Sequence, residues 1–410
     1  MWPSTPLRLS PGANRRPRRY SAPRGQGMLR IPIEAAPALA TPAWVDIDLD
    51  AVAHNVRAFR SLLPADCRLV AVVKANAYGH GMVACARAAL QHGAGELAVA
   101  NVHEGGQLRA AGVTAPILVA GPTAPGEAGL VVQHGLVATV ATVELAQALA
   151  AATRRYLPVQ IEVDSGMGRH GVAPHALGAF VDRLAQRGRL TVAGVYTHFA
   201  ATSVADGAAM RAQLAAFHAA VDAVRALRGA RRHACNTLGA LTVPEARLDA
   251  VRIGGGLYGF DPFHGAGARG PLALRPALAL KARLVGLRDL PAGAPVGYGG
   301  AFACARQSRL GLVPLGYADG LPRARWGGAP VLVRGVRAPI VGAVSMNQTI
   351  VDVTDVPGAA LGDEVVLLGA QGGERVAAEE RVEPGGSAYE VTTLLRASLP
   401  RRYRAVAGGG

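Results

Sequence analysis

The fold is decided by one stretch, RLVAVVKANAYGHG at residues 68–81, in which a short apolar run ends in a lysine. The run Arg68–Val73 predicts a buried strand, because short apolar runs bounded by polar and glycine-rich sequence are typical of one. Lys74 is one of two lysines in the chain, the other being Lys281. Desolvation at the end of such a strand lowers the pKa of an amine and suits it to covalent chemistry. A surface lysine extending to solvent is the alternative.

Further apolar runs follow at regular intervals. Ala-rich amphipathic segments separate them, among them Met82–Gln91 and Ala205–Arg228, each followed by glycine. Eight strands alternating with helices indicate an α/β protein, a (β/α)₈ TIM barrel over residues 41–270. The early strand Ala43–Ile47 precedes the first barrel strand and is a candidate to join the barrel. After Arg68–Val73, the predicted barrel strands are Leu97–Ala100, Ile117–Ala120, Leu136–Val140, Val159–Val163, Val192–Thr197, His233–Cys235 and Asp249–Ile253.

The pattern changes after about residue 270. Strands and helices no longer alternate there, and strand-like runs separated by Gly and Pro turns follow one another instead. We therefore expect a second, mostly β domain over residues 271–410. Its predicted strands are Ala279–Leu287, Ser308–Pro314, Pro330–Val333, Pro339–Val344, Thr349–Val353 and Glu364–Leu368.

The chain is strongly basic, with a net charge of +15, and 41 of its 43 basic residues are arginine. Seven arginines and no acidic residue fall in the first 30 residues. This Arg/Pro-rich stretch cannot form a core, so residues 1–40 are expected to be a disordered tail, with Met28 as an alternative start. A nucleic-acid-binding arm is the other interpretation. The arginine bias itself is more typical of GC-rich coding, and we expect no nucleic-acid partner.

Cysteine usage and hydropathy indicate the cellular compartment of the protein. The four cysteines are scattered, with no CxxC pair and no metal-ligand spacing, which predicts free thiols and no metal site. No apolar run approaches the roughly 18 residues that a membrane helix needs. We expect a cytoplasmic protein that does not contact a membrane.

Polar residues collect where a barrel gathers its functional groups, at the carboxyl ends of the strands. Glycines after the eighth strand allow backbone N–H groups to approach an anion, and a phosphate commonly lies there. Three consecutive glycines by themselves commonly form only a turn. A lysine together with a phosphate site on one barrel is the minimum for pyridoxal phosphate. The residues at strand ends are Lys74 (first), Arg169 (fifth), His198 (sixth), Asn236 and Thr237 (seventh), and Arg252 with Gly254, Gly255 and Gly256 (eighth).

At these residues the sequence resembles the alanine racemases, which have the type III pyridoxal-phosphate fold. The resemblance covers residues 42–404, and KANAYGHG at 74–81 is its most specific motif. Ordered matches in both predicted domains add to it. They are DSGMGR at 164–169, THFA at 197–200, VRIGGGLYG at 251–259, GYADG at 316–320 and YE at 389–390.

The resemblance implies a racemase that interconverts L- and D-alanine with two bases. Lys74 would carry the cofactor and serve one face of the substrate. Tyr298 would serve the other face from a partner subunit, which implies a homodimer. Arg252 would face the pyridine nitrogen, with His198 between it and Tyr298. Tyr78, Asn236, Thr237, Gly254, Gly255 and Tyr389 would bind the cofactor, and Arg169 with the Met346 backbone would bind the substrate carboxylate.

Several positions depart from the family's pattern. Glu162 replaces a lysine that is often carbamylated, and we expect it to be a negative partner for Arg169. The other departures remove charge and bulk near the entrance, which predicts acceptance of serine or other small amino acids. They are Ser203, Ala343, Ser345, Asn347 and Ser387. His80, His103 and His170 receive no role and are expected at the surface or at helix starts.

Three other interpretations of the scaffold stay open. An amino-acid decarboxylase would place an acidic residue at the pyridine nitrogen and use a cysteine as its acid, whereas this chain has Arg252 and no matching cysteine. A non-catalytic pyridoxal-phosphate carrier would lack the β domain and Tyr298. A catalytically silent homologue of the racemases is the remaining alternative.

Overall fold

The structure is a computed structural model that describes residues 42–186, 188–264, 270–382 and 386–404. The predicted tail, residues 1–40, lies outside the described residues. In the described ranges, no helix is both long and apolar enough to cross a membrane. The chain begins with strand β1 (Ala43–Asp48) and helix α1 (Leu49–Leu62), and the Asp48 carboxylate caps α1 by accepting the Ala51 N–H at 2.9 Å.

Eight parallel strands close into a barrel, which confirms the predicted fold class. Along strand β2 (Arg68–Val72) the side chains alternate: Val70 points into the barrel among Ala98, Leu118 and Tyr196, while Leu69 packs outward against the helices. The barrel strands are β2 (Arg68–Val72), β3 (Glu96–Val99), β4 (Ile117–Val119), β5 (Val137–Thr139), β6 (Leu157–Glu162), β7 (Leu190–Tyr196), β8 (Arg231–His233) and β9 (Ala250–Ile253).

Helical segments connect the barrel strands and cover the barrel. The predicted helix Met82–Gln91 is found with these bounds, whereas Ala205–Arg228 divides into one α-helix flanked by 3₁₀ turns. The segments are α2 (Lys74–Tyr78), α3 (Met82–Gln91), α4 (Val102–Ala110), α5 (Ala128–Gln133), α6 (Val143–Ala152), α7 (Leu177–Ala185), α8 (Gly207–Asp222) and α9 (Thr237–Thr242), and later α10 (Arg323–Trp326) and α11 (Ala388–Thr393).

The rest of the described chain is mostly β, as predicted. Its strands are β10 (Leu278–Arg283), β11 (Gly286–Leu290), β12 (Pro295–Val296), β13 (Phe302–Ala303), β14 (Ser308–Val313), β15 (Pro330–Val333), β16 (Val336–Val341), β17 (Thr349–Asp352), β18 (Glu364–Gln371), β19 (Glu374–Val376) and β20 (Arg401–Arg404). The single predicted strand Ala279–Leu287 is wrong, because two separate strands, β10 and β11, occupy it. The main sheet has the strand order β11-β14-β17-β16-β15-β18-β10-β1-β20, with β19 paired to β18, and β12 pairs with β13.

The early strand β1 does not join the barrel, so its assignment there is wrong. It pairs antiparallel with β10 and parallel with β20 in the sheet of the β domain. Trp44 explains the placement: its ring is 2% exposed and lies under the guanidinium groups of Arg283 on β10 and Arg402 on β20, at 5.6 and 4.2 Å. The division of the chain at residues 270 and 271 stays a prediction, and β1 crosses it.

Candidate active site

Lys74 lies at the mouth of the barrel, two residues beyond the last residue of β2, and begins the segment α2. The four residues after it, Ala75–Tyr78, all have φ between 52° and 55°, in the left-handed region. None of the four is glycine, and this conformation costs an L-residue about 1–2 kcal/mol. A strained turn of this kind persists only where surrounding contacts hold it.

Contacts at both ends hold this left-handed turn. Ala75 N–H donates to Glu104 Oε1 at 2.7 Å, and Ala100 N–H donates to the other oxygen, Oε2, at 2.8 Å. At the far end Gly79 has φ 87°, and a Cβ added there would lie 2.0 Å from the Thr392 carbonyl oxygen. Glycine is therefore required, and the turn is fixed between helix α4 and helix α11.

The electrostatic surroundings favour a neutral amine at Lys74. Desolvation by the barrel mouth is the largest influence and lowers the pKa of Lys74, and the positive charges of Arg169 and Arg252 lower it further. The Glu104 carboxylate acts in the opposite direction and raises it. A lowered pKa increases the neutral fraction of the amine at a given pH, and the neutral amine is the form that acts as a nucleophile and a base.

Arg252, on β9, is the buried cation of the site, only 4% exposed. Its Nη1 donates to His233 Nδ1 at 2.7 Å, and its Nη2 donates to the Thr197 carbonyl at 2.8 Å and to His198 Nδ1 at 3.2 Å. The guanidinium carbon lies 4.9 Å from the centre of the Tyr196 ring. Desolvation lowers the pKa of Arg252, but an arginine does not give up its proton in a protein.

These contacts fix the protons of both histidines. Arginine has no acceptor, so Nδ1 of His198 and of His233 must carry a lone pair. The proton of His233 is then on Nε2, which donates to Gln160 Oε1 at 2.7 Å. Desolvation, followed by the charge of Arg252, lowers the pKa of His198 to about 3 and that of His233 well below its usual range. His198 is therefore neutral and presents an Nε2–H donor.

The predicted phosphate-binding residues converge beside this network. Gly254 N–H donates to Thr237 Oγ1 at 3.3 Å. A Cβ added to Gly254 would lie 2.4 Å from the Tyr78 hydroxyl, and one added to Gly255 would lie 2.6 Å from the Tyr389 hydroxyl. Burial raises the pKa of both tyrosines, so both remain hydroxyl donors. Three hydroxyls and a glycine backbone thus form a cradle of hydrogen-bond donors, a natural anion site.

Two aromatic side chains behind the cradle had no predicted role. The Tyr258 ring lies 5.1 Å from the Tyr78 ring, and its hydroxyl donates to the Val72 carbonyl at 2.9 Å. The His80 ring lies 4.6 Å from the Tyr258 ring at a tilted angle and is 1% exposed, so of the two expected positions, surface or helix start, His80 has the second, two residues before α3. Burial lowers the pKa of His80 to about 4, so it packs here as a neutral ring.

Asn236 follows β8, at the edge of the same cradle. Its Oδ1 accepts the Gly239 N–H at 2.9 Å and caps helix α9. This cap orients the first helical residue, Thr237, and the prediction that Asn236 itself touches the cofactor stays a prediction.

Arg169 is exposed on the loop that follows β6. The carboxylate of Asp164 organises this loop, because Oδ1 accepts the N–H groups of Gly166, Met167 and Gly168 at 3.1, 2.8 and 3.0 Å. The positive charge of Arg169 lowers the pKa of Lys74, so the two side chains are close enough to interact electrostatically.

Glu162, at the end of β6, has a different partner from the expected one. It is 3% exposed and accepts from His170 Nδ1 at 2.7 Å and from the Tyr196 hydroxyl at 3.5 Å. No ion pair within 4.0 Å joins it to Arg169 in the described part of the chain, so that expected pairing is wrong. Glu162 instead holds the residue next to Arg169, and His170 is a partner of a buried carboxylate.

Tyr298 and Met346 lie on loops of the β domain. Tyr298 is 72% exposed and Met346 is 56% exposed. Within the described residues, no hydrogen bond, ion pair or ring contact joins Tyr298 to the Lys74 end of its own barrel. The Met346 carbonyl accepts the Ala318 N–H at 2.9 Å, whereas its own N–H has no hydrogen-bond partner in those ranges. Both residues are thus presented outward from the single chain.

Four residues that support the predicted ones had no predicted role. Glu104, His233 and Tyr196 lie outside the quoted motifs, and Tyr258 lies inside VRIGGGLYG at 251–259 without a role assigned to it. One signal was present for His233: it lies on the strand before Asn236, two residues from a predicted strand end, where alternation directs a side chain into the barrel.

An amine with a lowered pKa, an anion cradle and a buried guanidinium at one barrel mouth define a class: barrel enzymes that hold a small anionic cofactor beside a reactive lysine. Comparison with known proteins identifies the family within this class. Residues 47–262 match the family model "Alanine racemase, N-terminal domain", and residues 277–403 match "Alanine racemase, C-terminal domain". The chain belongs to the alanine racemase family and is an enzyme of that family.

Individual relatives agree along almost their whole length. The alanine racemase of Desulfovibrio desulfuricans is 41% identical over 367 residues, which cover 88% of this chain and 98% of that protein. The crystal structure of alanine racemase from Bacillus anthracis with bound L-Ala-P has a TM-score of 0.83 at 34% identity, over 90% of this chain and 96% of that one. The histidine racemase of Leuconostoc mesenteroides subsp. sake has a TM-score of 0.82 at 28% identity, over 90% and 99%.

Proposed function

We propose that this chain interconverts L- and D-alanine with pyridoxal 5'-phosphate as its cofactor. The observation that carries the proposal is the Lys74 amine at the same barrel mouth as the hydroxyl-lined cradle and Arg252. When bound, the cofactor withdraws electrons from the substrate Cα and makes its proton removable. We assign every other part of the reaction to side chains and backbone groups of this protein.

The residues present fit this cofactor. Lys74 Nζ would hold it covalently, and Arg252 would donate to its ring nitrogen. The cradle would take its phosphate, since a Cβ at Gly254 or Gly255 would fill the space where backbone and hydroxyls meet. The phosphate ligands would be the hydroxyls of Tyr78, Thr237 and Tyr389 and the backbone at Gly254 and Gly255, with Asn236 at their edge.

Racemisation removes a proton from one face of Cα and returns one on the other, so it needs a base on each face. We assign Lys74 to one face. The second base is assigned to Tyr298 of the partner subunit in a homodimer, supported by the exposure of this tyrosine in the single chain. Tyr317 and Met346, 40% and 56% exposed, belong to the same domain and would be covered on dimerisation.

His198 and Arg252 would set the electronic properties of the site. The Nε2–H of the neutral His198 would donate to the hydroxyl of Tyr298 of the partner subunit and stabilise it as an anion. Arg252 would donate to the ring nitrogen without protonating it, which weakens the electron withdrawal and limits side reactions. An Arg252→Glu variant should therefore gain transaminase activity, and an unchanged side-reaction rate would contradict this assignment.

The substrate carboxylate would lie between the Arg169 guanidinium and the Met346 N–H. We propose that serine is also accepted, because Ser203, Ala343, Asn347 and Ser387 leave the entrance small and mostly uncharged. The similar histidine racemase has the same fold, which supports the idea that this scaffold admits side chains larger than a methyl group. The ratio of kcat/KM for alanine and serine tests the point, and a strict alanine preference would contradict it.

The activity is tested by the loss of optical activity and by deuterium incorporation at Cα when L-alanine is incubated in heavy water. Lys74→Ala should abolish both and remove the visible absorption band of the bound cofactor. Lys281→Ala, which changes the only other lysine, should keep both. Retention of racemisation by Lys74→Ala would refute the proposal, and a band without exchange in the native protein would favour a decarboxylase or a silent homologue.

The shared site is tested by mixing inactive subunits. Lys74→Ala and Tyr298→Phe chains should each be nearly inactive alone. Random re-pairing gives half heterodimers, each with one intact site of two, so the mixture should recover about one quarter of the native activity. If the mixture stays inactive while native dimers survive the same treatment, Tyr298 does not act across subunits.

We also propose that the protein acts in the cytoplasm and has no nucleic-acid partner. All four cysteines are buried and unpaired, which is typical of a reducing compartment. The arginine-rich segment that would suggest nucleic acid lies outside the described residues. Salt-dependent binding of the full chain to duplex DNA, lost on removal of residues 1–27, would contradict the second part.

A further inference from the structure

The left-handed turn after Lys74 joins a reactive residue to a strained backbone. Lys74 is at the first position of the turn, and the φ values of 52° to 55° begin at Ala75, the next residue. The direction of the Lys74 side chain therefore depends on whatever keeps Ala75 in this conformation. A relaxed backbone at Ala75 would rotate the peptide that follows Lys74 and move its amine.

The Glu104 side chain forms a hydrogen bond with the backbone of Ala75. Its Oε1 accepts the Ala75 N–H at 2.7 Å, while Oε2 accepts the Ala100 N–H at 2.8 Å. Ala100 follows β3, the strand next to β2 in the barrel. One carboxylate therefore ties the ends of two neighbouring barrel strands. Both of its oxygens are used, and both bonds are to backbone groups.

Glu104 is itself held in place. Its N–H donates to Asn101 Oδ1 at 3.0 Å, which caps helix α4 and starts the turn that carries the carboxylate. The far end of the strained segment is fixed separately, where Met82 N–H donates to Asn76 Oδ1 at 2.9 Å and Arg401 donates to the Gly79 carbonyl at 2.8 Å.

We propose that Glu104 is a positioning residue for Lys74: it closes the strained turn onto the neighbouring strand and thereby fixes where the amine stands. The inference rests on the proposed function, in which Lys74 holds the cofactor. Glu104 does not touch the reacting atoms in this proposal. It acts through the Ala75 peptide and through its charge.

The charge gives the proposal a readout that a purely structural role would not have. Desolvation, Arg169 and Arg252 lower the pKa of Lys74, and the Glu104 carboxylate opposes them. Glu104→Gln removes the charge and one of the two acceptors, since an amide has only one oxygen. The pKa of Lys74 should then fall further, so that its amine becomes reactive at lower pH.

The acetylation of each lysine can be followed separately, because the chain has only two lysines. The full-length protein, freed of cofactor, is treated with trace acetic anhydride across a pH series, and acetylation of Lys74 and Lys281 is quantified by mass spectrometry. Lys281 is held by Asp46 and Glu364, at 3.4 and 3.1 Å, in the β domain and serves as the reference. Glu144→Gln, which changes an exposed glutamate at the start of α6, is the matched control.

The expected result is a Lys74 labelling curve displaced to lower pH in Glu104→Gln, with the Lys281 curve unmoved and both curves native in Glu144→Gln. In the reconstituted enzyme, kcat should fall by about 10²-fold, as expected when a reacting group is displaced by about 1 Å. If Glu104→Gln does not fold, Glu104→Asp replaces it. It keeps the charge but is too short to reach both amides, so kcat should fall while the labelling curve stays near the native one.

A native Lys74 curve together with native kcat in Glu104→Gln would overturn the proposal, as would an equal displacement in the Glu144→Gln control. The proposed function fails by a different result. If the native protein binds no pyridoxal phosphate or does not racemise alanine, the function is wrong, while the labelling curves still test whether the Glu104 carboxylate acts on the Lys74 amine.

Discussion

The hydrogen bond between Arg252 and His233 predicts a large loss of stability when His233 is replaced by leucine. Leucine fills a similar volume, so the change removes polar partners and leaves little cavity. His233 is 1% exposed, accepts from Arg252 Nη1 and donates to Gln160 Oε1, each at 2.7 Å. The variant would leave a buried guanidinium nitrogen and a buried amide oxygen without these partners.

The magnitude follows from the two groups that are orphaned. A hydrogen bond to a charged group contributes about 1.5–3 kcal/mol, and a buried neutral acceptor left unsatisfied costs about 1–3 kcal/mol. The expected loss in free energy of unfolding is then about 3–5 kcal/mol. For a folded unit of roughly 360 residues the unfolding entropy is about 0.76 kcal/mol/K, so the Tm should fall by about 4–7 °C.

The assay is thermal unfolding of the full chain by circular dichroism, native and variant at the same protein concentration and cofactor occupancy. His233→Gln is the matched control, because glutamine can still accept from Arg252 through its oxygen and donate through its nitrogen. It should lose less than the leucine variant. A leucine variant that melts with the native protein would refute the reasoning, since it would mean that the buried guanidinium does not need this partner.

Three further results are expected. Gly255→Ala should weaken pyridoxal-phosphate binding without unfolding the protein, because its Cβ would lie 2.6 Å from the Tyr389 hydroxyl; titration of the visible band measures it, and native affinity would contradict the cradle. Glu162→Gln should raise KM for alanine more than it lowers kcat, because the His170 contact steadies the loop that carries Arg169, the proposed ligand of the substrate carboxylate; an unchanged KM would leave that contact without a role. The pKa of His80 is about 4 when folded and near 6.5 when unfolded, so the folded state binds fewer protons and loses stability as pH falls through 6.5. At pH 5 this amounts to at most about 2 kcal/mol, and Tm measured against pH should fall less steeply in His80→Phe than in the native protein.

Much of the fold followed from local pattern. Parallel strands buried on both faces need almost continuous apolar residues, and the runs beginning at Arg68 and Ile117 met that need. The helix Met82–Gln91 was predicted with its observed bounds because Gly93 follows it closely. Strand β20 was missed because its sequence, RRYR, is charged, and it is an edge strand that pairs on one side only.

The candidate site was likewise predicted in part from the sequence. The rule that functional groups follow the barrel strands collected Lys74, Thr237 and Arg252, which depend only on chain order and strand ends. Glu104 could not be found by that rule, because its role depends on the left-handed backbone conformation at Ala75–Tyr78, which the sequence alone does not predict. The partner of Glu162 was predicted wrongly for a related reason: a one-residue difference along a loop decides whether a carboxylate meets Arg169 or His170.

The position of β1 has a consequence for how the protein is made. Its sheet is begun by the first described strand and completed by the last, so the barrel is topologically an insertion into the β domain. At about 5–20 residues per second, the ribosome needs roughly 20–70 s to deliver residues 401–404 after residue 48. During that interval β1 has an open edge, the type of surface on which chains aggregate. The barrel can be complete while the sheet that flanks it still waits for the end of the chain.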